Sequence, residues 1–400
     1  MNGQRIYLDG AANAPIHPEV AKAMAPYLSP DFCGNSHSAH WFGGIADQAV
    51  TASRNAVAWA LGARAEDVYF TSGATESNNW VIKGLALKEL SIPEGERRLR
   101  VVCPAIEHAS VLNSCESLSA LGFDVRLVPC LPDGRVDLAA AAKEIVPGGT
   151  LLVCCMAVNN ETGAAQPVRQ MAEMAREAGA ASLCDVTQAL GLGGSTLALD
   201  KLYGADFYSL SAHKIGGPMG AGALVSGKGA VPPPFISGGA QERGLRGGTS
   251  NVAGAVGLAK AIEILREKNS ETEASFYRTF IKRLLSELGP AYKANVTPDD
   301  PMILSLDCSG AIDYPGPLAE ALDSKGVAVS AGAACSESDD DGTAPSHVLM
   351  AMGLTHRSIL ATIRVSMTTR TTADDIDGLA AALKEMEEEC PAKPAKGRKK

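Results

Sequence analysis

Seven short, almost wholly apolar runs lie between residues 67 and 225, at 67–71, 99–103, 124–129, 150–156, 181–185, 206–210 and 221–225. Helical stretches separate several of them, at 75–90, 109–121, 137–145 and 167–178. A further helix at 45–61 places Ala46, Ala49, Val50, Ser53, Val57, Ala60 and Leu61 on one face, with Gly62 as its stop. Strands that are apolar throughout are buried on both faces. The alternation therefore predicts an α/β fold whose mostly parallel sheet is covered by helices on both sides.

After Asn251 the texture changes. One long helix is expected over 252–289, then strands at 302–306 and 327–329, helices at 316–325, 345–352 and 373–388, and a strand at 361–365. This is a smaller α+β unit. At 400 residues the chain exceeds the size at which single cores usually stop growing. The expected division is a segment 1–15 packing with the small domain, a large domain 16–255, a small domain 256–388 and a disordered basic tail 389–400.

A net charge of −9 argues against direct nucleic-acid binding. No apolar run is long enough to span a bilayer, and the opening residues lack the apolar core of a signal peptide, so a cytoplasmic protein is expected. The ten cysteines contain no CxxC pair, which points to neither a disulfide framework nor a zinc site.

Several residues stand where chemistry is done. Lys214 follows an apolar strand and Ser211-Ala-His213, among Gly216, Gly217, Gly220 and Gly222. A desolvated lysine amine there can form a Schiff base with an aldehyde, and Ser211 and His213 can donate to a phosphate. A surface turn with a lone lysine is the competing reading. Asp185 ends the strand 181–185, where α/β sheets bind ligands. It can pair with a pyridine nitrogen, with Gln188 reaching a ring hydroxyl, or simply cap a turn. Thr71-Ser-Gly-Ala-Thr-Glu-Ser77 opens a helix and offers free backbone N–H groups to a phosphate, though it matches no nucleotide-binding pattern. Ser72 and Glu76 stand one residue too far apart for a capping box.

His108 follows the strand 99–103 and can stack on a cofactor ring or shuttle protons; an ordinary loop histidine is the alternative. Cys335 opens an acidic, glycine-containing loop, an exposed setting unlike that expected for Cys154 and Cys155. The acidic run Asp339–Asp341 should raise its thiol pKa. Arg364, between apolar neighbours, needs a partner: a substrate carboxylate, with Asn35 helping, or a structural ion pair.

The order of these motifs is more specific than any one of them. Tyr7-Leu-Asp9, Gly34-Asn35, Thr71–Ser77, Glu107-His108, Val158-Asn-Asn-Glu-Thr-Gly163, Asp185-x-x-Gln188, Ser211–Lys214, Glu242–Thr249, Gly332-Ala-Ala-Cys335 and Pro345–Leu349 appear in sequence. From about residue 5 to 387 the chain closely resembles the NifS/IscS-type cysteine desulfurases.

The resemblance implies a fold type I pyridoxal-phosphate enzyme: a seven-stranded large domain, a small C-terminal domain and a homodimer. It assigns Lys214 to the Schiff base, Asp185 to the pyridine nitrogen, Gln188 and Asn160 to the ring hydroxyl, and His108 to the ring face. Ala74, Thr75, Ser211, His213 and, from the partner subunit, Thr249 would hold the phosphate. Arg364 and Asn35 would hold the carboxylate of L-cysteine. Cys335 would carry the sulfur to an acceptor such as an iron–sulfur scaffold protein, with no metal site beyond a transient cluster ligand at Cys335.

Selenocysteine lyase, cysteine-sulfinate desulfinase, and sulfur supply for tRNA or DNA thiolation are the related alternatives. A non-catalytic assembly subunit of the same fold is the other class, and the full set Lys214, Asp185, His108 and Cys335 argues against it. The chain departs from the family pattern at Gly10, Asn13 and Ala14, at Ser36, in the acidic loop after Cys335, and in a short basic tail without the usual docking extension.

Overall fold

The computed structural model describes residues 5–192, 198–227, 229–267, 270–331 and 345–392. Cys335, the acidic stretch Asp339–Asp341 and the basic tail Lys393–Lys400 lie outside the described residues.

The described strands are β1 (Ile6–Tyr7), β2 (Val68–Thr71), β3 (Arg100–Pro104), β4 (Asp124–Val128), β5 (Thr150–Cys154), β6 (Ala181–Asp185), β7 (Phe207–Ser211), β8 (Gly222–Ser226), β9 (Lys293–Ala294), β10 (Ile303–Asp307), β11 (Val327–Ala328) and β12 (Thr362–Ser366). Seven of them form one sheet in the order β2-β8-β7-β6-β5-β3-β4. All neighbours are parallel except at β8, which runs against both β2 and β7. Only the stretch 212–221 joins β7 to β8, too short for the crossover that a parallel pair requires.

Strands β5, β7 and β8 are buried at every position, in keeping with their largely apolar sequences. One face packs Val102, Val153, Cys184, Tyr208 and Leu210 against the helices Trp41–Leu61, Val168–Glu177 and Val252–Glu267. The other packs Val101, Cys103, Leu152, Leu183 and Leu224 against the helices Ala74–Leu90 and Ala109–Ser117. Trp80 is fully buried there and donates from Nε1 to the Pro233 carbonyl at 2.6 Å. Filling both faces with side chains worth about 1.5–3 kcal/mol each makes the sheet a rigid platform for the residues at its strand ends.

A second core gathers Leu8, Tyr277, Leu304, Ile363 and Leu383. It surrounds the antiparallel sheet β12-β10-β9. The N-terminal segment joins this part: β1 pairs in parallel with β11, and Asp9 bridges Ser366. Within the helix expected over 252–289, the described helical stretches are Val252–Glu267 and Ser270–Leu288. The first packs on the helices Pro18–Met24 and Trp41–Leu61 and the second on Ala373–Glu389, so each half serves a different core.

Six of the nine described cysteines are buried, Cys154 and Cys155 among them. None of the nine is in a disulfide. Among the described residues, no helix is long and apolar enough to cross a membrane.

Candidate active site

A cavity of about 230 Å³ opens where β3, β5, β6 and β7 end. Its wall contains Ala74, Thr75, His108, Asn160, Asp185, Gln188, Ser211, His213, Lys214 and Arg364, ten of the residues singled out from sequence. Asn35 and Thr249 are not in this wall. Asn35 accepts the His37 N–H at 3.0 Å on the loop before the helix Trp41–Leu61. Thr249 is exposed and lines a separate hollow with Arg246 and Ser72.

The turn after β2 supplies the first wall. Gly73 has φ +151°, and its backbone packs directly on Gly222 of β8. A Cβ at residue 222 would lie 2.6 Å from the Gly73 Cα, so only glycine allows this approach. The Ala74 N–H donates to Ser211 Oγ at 2.8 Å, which leaves the Ser211 hydroxyl proton available to donate. Glu76 reaches back to the Ser72 N–H at 2.8 Å, one residue beyond capping-box spacing.

Asp185 is buried, and its two oxygens divide two roles. Oδ1 accepts the Thr187 N–H at 2.9 Å, the local turn cap that its sequence position suggested. Oδ2 accepts from Asn78 Nδ2 at 2.9 Å. The same Asn78 amide donates to Ser110 Oγ at 2.9 Å. Ser110 Oγ lies 2.9 Å from His108 Nδ1, and the Ser110 N–H donates to that nitrogen at 3.1 Å. A backbone amide can only donate, so Nδ1 is an acceptor and the proton of neutral His108 sits on Nε2. Burial, with the charge of Lys214 and His347, pushes the His108 pKa down against the pull of Asp185. His108 therefore enters the cavity as a neutral imidazole.

Lys214 stands on the short turn Ala212–Ile215. Its Nζ donates to the carbonyls of Ala11 and Ala12 at 2.6 and 2.7 Å, and Gln188 Nε2 donates to Ala11 at 3.0 Å. The N-terminal segment thus closes one side of the cavity. Burial and the Lys214 charge push the neighbouring His213 down to about 4. At neutral pH His213 offers a hydrogen bond but no charge.

Arg364, on β12, is 3% exposed. It donates to Asp9 at 2.8 Å, to Ser330 Oγ at 3.0 Å and to the Asn160 carbonyl at 3.0 Å. Its Nε is buried without an acceptor, as is Thr187 Oγ1, and both residues line the cavity. Orphaned buried polar atoms are costly and mark where a ligand atom belongs.

The family described as aminotransferase class-V matches residues 6–379. The chain belongs to that family. Within it, the chain belongs with the cysteine desulfurases. It is 34% identical over 387 residues to the cysteine desulfurase IscS of Methanosarcina thermophila, covering 95% of this chain and 91% of that one. It is 36% identical over 383 residues to the putative cysteine desulfurase IscS 1 of Bacillus subtilis (strain 168), covering 93% and 96%. Among solved structures, a NifS-like protein superposes with a TM-score of 0.83 at 32% identity, over 96% of this chain and 99% of that one. SspA in complex with cysteine superposes with a TM-score of 0.76 at 32% identity, over 90% and 98%.

Several residues of this desulfurase fold take part in the site without a chemical signature in the sequence. Asn78 and Ser110 link Asp185 to His108, and Asp9 and Ser330 orient Arg364. Asn78 lies one helical turn after Ala74, so the shared helix face was the available signal. Asp9 is 355 residues from Arg364, and no local pattern spans that distance.

Proposed function

We propose that this protein is a pyridoxal-phosphate-dependent cysteine desulfurase of iron–sulfur cluster assembly. It takes sulfur from L-cysteine, leaving L-alanine and a persulfide on Cys335 that passes to an acceptor protein. The reading rests on one observation above others: the Lys214 amine, the Asp185 carboxylate and the neutral His108 ring converge on a single cavity. Its membership of the cysteine desulfurases and its likeness to a relative solved with cysteine support the same substrate.

The donor set fits a flat, phosphate-bearing aldehyde. Thr75, Ser211, His213 and the Ala74 turn would take the phosphate at the start of a 17-residue helix, and Thr249 of a second subunit would complete that end of a homodimer. Asp185 would hold a proton on the ring nitrogen, His108 would face the ring, and Gln188 and Asn160 would surround its hydroxyl. The orphaned Thr187 hydroxyl fits the same polar rim. When bound, the cofactor supplies an electrophilic carbon for the substrate amine and a sink for the electrons released at its Cα.

The protein's own groups then divide the work. Arg364 Nε, lacking an acceptor, receives the cysteine carboxylate. Lys214 Nζ removes the Cα proton and returns a proton to carbon when alanine forms. His108 Nε2–H donates toward the reacting groups. The Cys335 thiolate bonds to the substrate sulfur as the carbon–sulfur bond breaks. Cysteine plus the enzyme thiol thus become alanine plus the enzyme persulfide, with no outside oxidant. The protein is assigned to the cytoplasm.

The test is to incubate the purified protein with L-cysteine and follow alanine and the mass of the Cys335 peptide. A gain of one sulfur atom in wild type, absent in C335S, is expected. Alanine formed at the wild-type rate by C335S without acceptor would overturn the role of Cys335. A protein carrying no pyridoxal phosphate would overturn the whole reading.

A further inference from the structure

Segment 241–251 is held in a costly conformation. Glu242 and Arg243 have φ values of +42° and +62°, and they are the non-glycine residues with positive φ among those described. Two consecutive side-chain-bearing residues stay in this region only where the surroundings over-determine them. Glu242 is buried, forks onto Arg54 at 2.6 and 2.9 Å, and accepts the Phe70 N–H at 3.2 Å. Arg54 and Arg243 both donate to the Val68 carbonyl, at 2.7 and 3.0 Å. Their guanidinium groups lie over the rings of Phe70 and Tyr69, at 4.8 and 4.1 Å. The segment is thereby locked onto β2, the edge strand of the large sheet.

That lock sets Arg246 beside the first turn of the helix Ala74–Leu90. Its guanidinium forks onto Glu76 at 2.8 and 3.1 Å. Glu76 stands in the first turn of the helix Ala74–Leu90, and its Oε2 also accepts the Ser72 amide. Burial opposes the Glu76 charge, but Arg246 and the Ser72 amide together hold its pKa below the ordinary range. A carboxylate in a first helical turn competes with any other anion for the positive end of the helix. Pairing with a guanidinium cancels that competition and leaves the Ser72 amide in place.

We propose that Arg246 is a positioning residue for the anion-binding turn 72–75. It neutralises Glu76 so that the start of the helix Ala74–Leu90 keeps its attraction for a phosphate. The left-handed pair Glu242–Arg243 exists to aim Arg246 at that carboxylate. This proposal rests on the proposed phosphate site.

The test measures how fast pyridoxal phosphate leaves the holoenzyme on dialysis, well below the melting temperature, beside the 31P resonance of the bound phosphate. R246A is expected to release it about tenfold faster and to shift the resonance. R246A/E76Q removes the unpaired charge while keeping an acceptor for Ser72, and should return release to within about threefold of wild type. R246K should fall between wild type and R246A, and it supplies the measurement if R246A does not fold. A wild-type release rate in R246A, or in R246K where R246A does not fold, would overturn the proposal. So would R246A/E76Q releasing as fast as R246A, since the effect would then not run through the Glu76 charge. If wild type itself carries no pyridoxal phosphate, it is the functional reading that fails.

Discussion

Arg364 on β12 and Asp9 beside β1 form an ion pair at 2.8 Å whose guanidinium side is 3% exposed, while Arg364 Nε–H has no acceptor. The pair leaves the arginine oriented but not saturated. Asp9 and Ser330 engage one terminal nitrogen and the Asn160 carbonyl engages the other. A carboxylate entering the cavity meets a guanidinium already fixed in place, which lowers the cost of ordering it.

R364K tests this arrangement. Lysine keeps the charge but presents a point rather than a fork. KM for L-cysteine should rise about tenfold to a hundredfold, with kcat within about threefold of wild type, the pattern of lost uniform binding. R364A should instead unfold more easily, because removing one partner of a buried pair costs about 3–5 kcal/mol. Steady-state kinetics and urea melts separate the two effects.

D185N should lower turnover about a hundredfold or more while leaving cofactor content unchanged. An asparagine can still accept the Thr187 N–H, and the phosphate donors lie elsewhere. What it loses is the negative charge that holds a proton on a pyridine nitrogen, together with the Oδ2 acceptor for the Asn78 amide. Absorbance of the bound cofactor and kcat, measured on one preparation, check this. Full activity in D185N would remove Asp185 from the mechanism.

The large sheet was legible because each strand is a short apolar run and each crossover helix carries its own periodicity. Lys214, Asp185 and His108 were legible because ligand sites of such sheets form at strand ends, and these residues end or follow strands. The reversal of β8 was legible in principle from the short link 212–221, since a parallel pair requires a longer crossover. Asp9 and Asn78 were invisible as partners because their roles depend on contacts made only after the chain has folded.

K214A should abolish turnover and leave any retained cofactor unattached. Borohydride reduction followed by peptide mass mapping should label Lys214 in wild type and no residue in K214A. In the cofactor-free protein the substitution also removes the donor shared by the Ala11 and Ala12 carbonyls, so the N-terminal segment should become more open to proteolysis than in cofactor-free wild type. K214R can restore donors to those carbonyls but cannot form a Schiff base. It should recover protease resistance without recovering activity.

Glu107 makes a prediction about stability rather than catalysis. Its carboxyl group is fully enclosed, Oε1 accepts the Met156 N–H, and Oε2 has no partner. Burial, with the nearby Asp185 charge, pushes its pKa well above the ordinary 4.5. Below pH 4.5 both the folded and unfolded chains hold this proton, so the group costs nothing. Above it, the unfolded chain has released a proton that the folded chain keeps, and stability falls as pH rises toward the folded value. Glutamine keeps the acceptor for Met156 and has no proton to lose. E107Q should therefore gain on wild type as pH climbs from about 5 to 8, read as a widening gap between their urea midpoints. A gap that stayed constant across that range would mean that Glu107 is ionised in the fold, and a second negative charge would then lie beside Asp185.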